Sequence, residues 1–432
     1  MMERSSKMRL MVCSDSLNQT TGFSYVISSI LRRLIETGQY DILYVTLTGI
    51  DTTREGLAIQ GSRFAKAAES IQLANAQVND KKKALTLDSL IEKFAPEVVL
   101  TSHDPWYLDT IAYSAYRDSF YWAAYLTVEV PEYPEFVMSS SPILPTSRKP
   151  IKDIMSKANL VIPHTQMGYD MLTKHWKLDN VAQPCYSGLD FDEACTEDVL
   201  KSEVFGPSCL EDDFVFMTMG VNSDRKRLDR IIDAFSKFHQ KHPGDKYKLY
   251  LHTDINVSMG GTDLNTMVAD LDLLDNLLVS TTYRAGTGID KVDLYRRYKA
   301  CDCYIGLPAG EGFGYGFAEA LMHGKPVIYI DHGGHTCYLK GIGLPVKVKD
   351  YTTARNAYIK WALADTDDAA RAMARVVSDK KYRESSSRRG YEFAKTYLDW
   401  EVTFKQFHAT LLSEYHPHEI NMLAGVPMRR LV

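Results

Sequence analysis

The 432-residue chain has no uninterrupted apolar run that approaches the ~18 residues of a membrane span. Its first residues, MMERSSKMRLMVC, read as the start of a strand and carry no apolar leader, so a cytoplasmic location is expected. Positive charge is not in excess. The net charge of −5 gives no electrostatic argument for nucleic acid or an anionic membrane as partner. The seven cysteines are scattered and odd in number. Cys301 and Cys303 form a C-x-C without a second pair, which is no metal-site spacing, and read as reduced thiols on a buried strand. Local basic spots lie at Lys81-Lys82-Lys83, read as a solvated helix end, at Arg225-Lys226-Arg227 and at Arg429-Arg430. What is present is 45% hydrophobic and 24% charged. That is the balance of a soluble globular protein, in a chain long enough for two domains.

Strand and helix patterns alternate almost throughout, which predicts parallel α/β layers. In the first half, strands are predicted over 8–14, 42–47, 97–101, 122–130 and 160–163. Helices are predicted over 23–34, 63–78, 87–94, 151–157 and 166–175. Residues 131–150 hold five prolines and no regular period, and read as an irregular loop facing a ligand or partner. Acids cluster near 190–212 and Gly206-Pro207 breaks the chain, so the domain boundary is placed between 207 and 208. A second series follows, with strands over 214–219, 247–252, 277–280 and 302–306 and helices over 228–239, 262–275 and 290–299. Two doubly wound, Rossmann-like domains, 1–207 and 208–395, are expected. Open parallel sheets bind ligands beyond the C-terminal ends of their strands, so the cleft between two such edges becomes the site. The amphipathic stretch 396–415 carries Trp400, Phe404, Phe407 and Leu411 on one side.

The most informative segment is LPAGEGFGYGFAEALMHGKPVI, residues 307–328. Glu311 and Glu319 stand eight positions apart, with Gly312, Phe313, Gly314 and Gly316 between them. A helix, a turn at Gly324-Lys325-Pro326 and an apolar strand follow. The glycines let backbone N–H groups come close to a ligand at a helix N-terminus, where dipole density favours a phosphate or sugar oxygen. Glu311 is expected in the loop and Glu319 about two turns into the helix, so that each grips a different hydroxyl of one elongated ligand. A carboxylate suits a sugar because it accepts two hydroxyl protons at once.

The two glutamates, the EGFG core and the trailing AEALMHGKPVI resemble the E-x7-E donor-site motif of the family-4 retaining glycosyltransferases of the GT-B fold. Residues 220–235, GVNSDRKRLDRIIDAF, resemble that family's GR-x4-KG-x-D segment, whose Arg and Lys hold the donor phosphates. Lys226 aligns with the family lysine. The family arginine falls near Val221, where this chain departs from the pattern, so Arg225 is taken as its substitute and Arg227 as a second candidate. A basic cluster at a helix start works against the macrodipole unless an anion is present. The resemblance implies a GT-B architecture, a nucleoside-diphosphate sugar as co-substrate, no tightly held metal, and a terminal helix crossing back to the first domain. It covers most of the second half of the chain, and the first half only as a general strand–helix pattern.

Gly22, in NQTTGFS after the first strand, resembles the family's N-domain glycine loop; a plain strand–helix turn is the alternative. Many family members carry a functional histidine where this chain has Glu129. His103, in VVLTSHDPW, competes with Glu129 for the polar role near the reacting carbon, or else orders the neighbouring loop. His332 and His335 flank a Gly-Gly turn that often binds ligand in the family. The expected activity is transfer from a nucleotide sugar to a hydroxyl acceptor, leaving a glycan, lipid-linked glycan, protein or modified nucleic acid open as acceptor. The alternatives are a silent sugar-nucleotide-binding or scaffold protein and a GT-B sugar-nucleotide epimerase.

Overall fold

The computed structural model describes residues 7–76, 81–134, 150–244, 246–256, 260–280, 288–354 and 359–413, with 81–86 as backbone alone. The first half builds β1 (Met8–Asp15), α1 (Gly22–Thr37), β2 (Tyr40–Thr48), α2 (Ser62–Ala67), β3 (Gln72–Asn75), α3 (Lys81–Phe94) and β4 (Val98–Thr101). It continues through α4 (Asp109–Ala112), β5 (Tyr121–Leu126), α5 (Ile151–Ser156), β6 (Leu160–Pro163) and α6 (Gln166–Asp170). All six strands pair in parallel, in the order β3-β2-β1-β4-β5-β6. In β1, Leu10, Met11, Val12 and Cys13 are wholly buried, the continuous apolar run of a strand covered on both faces.

The short α7 (Lys201–Phe205) leads to the second half. There β7 (Phe214–Met219), α8 (Leu228–Lys241), β8 (Tyr247–His252), α9 (Leu264–Asp270), β9 (Leu277–Val279) and α10 (Lys291–Ala300) come first. Then come β10 (Cys303–Gly306), α11 (Tyr315–Met322), β11 (Val327–Ile330), α12 (Thr336–Leu339) and β12 (Leu344–Val346). This sheet runs β12-β11-β10-β7-β8-β9, again all parallel. An antiparallel pair, β13 (Val348–Thr353) and β14 (Lys360–Ala364), precedes α13 (Thr366–Ser378) and α14 (Lys380–Tyr397). Both sheets share one topology: the strand order reverses between β1 and β4 in the first and between β7 and β10 in the second. Crevices at such reversals, beyond the strands' carboxyl ends, are where open α/β sheets bind ligands.

The last helix, α15 (Trp400–Leu412), returns to the first half. Its buried Trp400, Phe407 and Leu411 pack into the same core as Val26, Ile30, Tyr125 and Ile162. Tyr40 meets His408 at 2.6 Å, and the chain passing between the halves at Leu189 bonds to Leu398 and Trp400.

Three expectations need correction. Residues 63–78 do not form one helix. Phe64, Ala68 and Ile71 are buried at helical spacing, but the chain turns at Ala68–Ser70 and then runs as the edge strand β3, too short to show alternation; residues 77 and 78 lie outside the described ones. The strand predicted to Val130 ends at Leu126, because Glu129 N–H bonds to Tyr133 Oη and Glu129 O accepts from Glu311 of the other half. The terminal helix starts only at Trp400, capped by Asp399, since residues 396 and 397 end α14. Of the proline-rich loop, 135–149 lie outside the described residues, as do the Lys81-Lys82-Lys83 side chains and Arg429-Arg430.

Candidate functional site

The two topological reversals face each other, and most of the sequence-predicted polar residues sit at them. From the second half come the turn after β7, with Arg225 and Lys226, and the turn after β10, with Glu311. Lys226 N–H and Arg227 N–H both bond Ser223 O, which folds residues 223–227 into a tight turn ahead of α8. Arg227 takes a left-handed conformation at φ 50° and turns away to Asp229, at 2.8 Å. Arg225 and Lys226 are left to face the loop after β10.

They converge on one carboxylate. Lys226 Nζ stands 2.5 Å and Arg225 Nη1 3.2 Å from Glu311 Oε2. Arg225 also donates to Gly310 O at 3.0 Å, and its Nε reaches Glu129 Oε1, from the first half, at 3.2 Å. One guanidinium therefore ties both halves together. Burial alone pushes the Glu311 carboxyl up, but Lys226 and Arg225 outweigh it and hold the pKa at about 2. Glu129 moves the other way. Burial, with Asp104 and Glu311 as like-charged neighbours, pushes it up to about 7 against the pull of Arg225. Asp104, in the turn after β4, is also pushed up, by burial first.

His103 is not an open ligand-facing group. It is buried, stacked on Phe23 at 5.1 Å, and Asp104 N–H donates to its Nδ1 at 2.7 Å. The proton is thus left on Nε2, beside Thr48 Oγ1 at 2.7 Å and Asp15 Oδ1 at 3.1 Å. Burial opposes the Asp15 charge, but His103, Thr48 and Thr21 together hold its pKa below the ordinary value. Gly22 opens α1, where a Cβ would meet nothing within 4 Å, and Thr21 caps the helix.

The glycines of the E-x7-E loop have protein neighbours. A Cβ on Gly312 would overlap the methyl of Thr127 in the first half, and one on Gly310 would come within 2.9 Å of Val130. Gly314 has φ 84° and starts α11. Phe313 is turned into the core of the second half. Since α11 begins at Tyr315, Glu319 lies little more than one turn in, not two. It is 5% exposed, bonds Tyr298, and its Oε2 has no hydrogen-bond partner among the described residues. Burial pushes its pKa up to about 7, against the pull of Tyr298 and Lys291. His335 is fully buried, donates through Nε2 to Ile330 O at 3.0 Å and stacks on Phe317. Burial brings its pKa down to about 4, so it is neutral at pH 7. Burial also lowers His332.

Sequence reasoning passed over Lys291, Tyr25 and Asp190, which gather beside Glu319. A signal was present: Lys291 opens a helix in GTGIDKVDLY, a cation set against the dipole, as at Arg225 and Lys226. Among the described residues no three His, Cys, Asp or Glu side chains gather as a metal site. No described helix is long and apolar enough to cross a membrane.

Residues 205–393 match the family model described as glycosyl transferases group 1. No curated protein matches the chain. Similar solved structures cover nearly its whole length. Anabaena HepE, solved in complex with UDP and glucose, is 13% identical with a TM-score of 0.68, over 94% of this chain and 100% of that one. Sucrose-phosphate synthase from Thermosynechococcus elongatus is 15% identical with a TM-score of 0.67, over 95% and 100%. WaaG, a glycosyltransferase involved in lipopolysaccharide biosynthesis, is 10% identical with a TM-score of 0.61, over 96% and 100%. At such identities the likeness shows the fold, which is GT-B, and the family match lies in the half that carries Arg225, Lys226, Glu311 and Glu319.

Proposed function

We propose that this chain is a retaining glycosyltransferase that moves a sugar from a nucleoside-diphosphate sugar to a hydroxyl acceptor. The observation that carries the reading is the convergence of Lys226 and Arg225 on Glu311, with Glu129 brought up from the other half. Transfer expels a diphosphate, so negative charge develops on the leaving group. Two cations held in a partly dry cleft are suited to stabilise it without a metal. Lys226 carries three N–H donors and gives one to Glu311, which leaves two for phosphate oxygens. Glu311, kept ionised by its cations, holds hydroxyls of the donor sugar near the reacting carbon. Glu319, buried with one oxygen unpaired among the described residues, holds the ribose.

On the acceptor side, Glu129 takes the proton of the attacking hydroxyl. The bond from the anomeric carbon to the diphosphate breaks, and the bond to the acceptor oxygen forms on the same face of the sugar. A carboxyl poised near 7 suits that transfer. In this scheme residues 1–207 form the acceptor domain and 208–395 the donor domain, with α15 (Trp400–Leu412) returning to the first. HepE was crystallised with UDP and with UDP-glucose, so uridine donors come first.

The test is release of nucleoside diphosphate from a panel of nucleotide sugars, with EDTA present. The proposal expects release from at least one donor, and loss of that release in Lys226→Ala. A chain that binds a nucleotide sugar but never cleaves it is a silent binder. Activity that vanishes in EDTA and returns with manganese contradicts the metal-free clamp.

A further inference from the structure

Beside Glu319 lies a second junction between the halves, built around Lys291, the first residue of α10. Its ammonium sits against the dipole of its own helix, yet three groups hold it there. Glu193 lies 3.0 Å away, Asp190 3.6 Å, and the ring of Tyr25 4.0 Å. Asp190 is 2% exposed and accepts from Arg32 at 2.7 Å, Arg33 at 2.9 Å and Ser29 at 2.9 Å, all on α1. It lies next to Leu189, where the chain passes between the halves and bonds Leu398 and Trp400. Lys291 is therefore the point where α10 is tied both to this anchored carboxylate and to α1.

Tyr25 is the α1 residue in that contact, and it also touches the helix that carries Glu319. Its ring meets Tyr315 edge-on at 4.8 Å, and its hydroxyl stands 3.4 Å from that of Tyr295 on α10. Tyr315 is four positions before Glu319 on α11, so the two share a helix face. The Glu319 carboxylate is almost wholly buried, with Oε2 unpartnered among the described residues, and a buried polar group without a partner points to a ligand.

We infer that Lys291 and Tyr25 are positioning residues for donor binding: the ammonium seated on the Tyr25 ring clamps α1 against α10 and α11, and so fixes the pocket in which Glu319 meets its ligand. The inference rests on the reading of Glu319 as a donor carboxylate. It makes donor affinity depend on a contact between the halves at which no donor atom is held, while the Arg225, Lys226 and Glu311 cluster is left intact.

The experiment uses the full chain with Lys291→Met, Lys291→Arg, Tyr25→Leu and Tyr25→Phe. Without ligand, hydrogen exchange of the amides of residues 22–30 reads the clamp. With UDP-glucose as probe, or the donor found to be cleaved, calorimetry and kinetics read the positioning. Lys291→Met and Tyr25→Leu are expected to exchange faster and to bind donor about tenfold more weakly, with kcat at saturating donor retained. Lys291→Arg and Tyr25→Phe keep the cation and the ring, and are expected to restore affinity. A purely structural contact would lower melting temperature in the Met and Leu variants and leave donor affinity alone, and that result overturns the inference, as does unchanged exchange. If the wild-type chain takes up no nucleotide sugar, the proposed function falls and the positioning role falls with it. If the wild type binds and the variants bind equally, only the positioning role falls.

Discussion

Glu311 and Glu319 come from one motif but sit in opposite environments. Glu311 is held ionised by two cations, whereas Glu319 is buried with one oxygen unpaired among the described residues. Their amides should therefore behave differently. Glu311→Gln is expected to lower kcat, and Glu319→Gln mainly to raise the donor KM. Loss of one charged hydrogen bond costs about 1.5–3 kcal/mol, so steady-state kinetics should show changes of about tenfold to over a hundredfold. Wild-type kcat and KM in both variants would contradict the assignment. The same difference appears in stability against pH. The Glu319 pKa is raised from 4.5 to about 7, so the folded state binds more protons than the unfolded state between these values. Its contribution to stability is present below about 4.5 and is lost as pH rises through 7. Without ligand, Glu319→Gln should match wild type at pH 5 and be more stable at pH 8, by on the order of 2 kcal/mol. For Glu311, held at about 2, the sign reverses: its contribution is present above 4.5 and is lost as pH falls toward 2. Thermal melts across this range check both.

At the scale of elements, the loop after β10 is shaped by the other half of the molecule as much as by any ligand. Gly312 faces Thr127, and Glu311 N–H bonds Glu129 O at 2.9 Å. Gly312→Ala should drive the halves apart and lower turnover, since overpacking of this kind costs about 1–3 kcal/mol. Thr127→Ser removes the methyl that the new Cβ would strike, so the double variant should recover most of the activity. A double-mutant cycle in turnover that is simply additive would contradict the contact. This contact also marks where sequence reading stopped. The glycines of the loop were legible as a demand for close approach, but what approaches Gly312 lies 185 positions away in the chain and leaves no local trace. Long amphipathic elements such as α1 and α8 were legible from period alone. The edge strand β3 was not, because Phe64, Ala68 and Ile71 imitate helical spacing. Asp190 and Tyr25 were invisible for the same reason as Thr127: their partners are assembled by the fold.

At the scale of the whole molecule, two sheets of one topology place their reversals face to face, and α15 returns to hold that arrangement. Trp400 is fully buried in the first-half core, under the Arg33 guanidinium and against Gly188. Trp400→Ala should destabilise the chain by about 3–5 kcal/mol, read from thermal or denaturant unfolding. A near-neutral change would mean that the returning helix does not hold the halves. The central claim is that this arrangement cleaves a nucleotide sugar through Glu311 and its two cations, with the donor anomer retained. Proton NMR of the full chain with its donor, followed from the first minutes, tests it most directly. The account predicts that nucleoside diphosphate appears together with a sugar product of the donor's own anomeric configuration, and that neither appears with Lys226→Ala. A product of inverted configuration, or undiminished cleavage by the lysine variant, would contradict it.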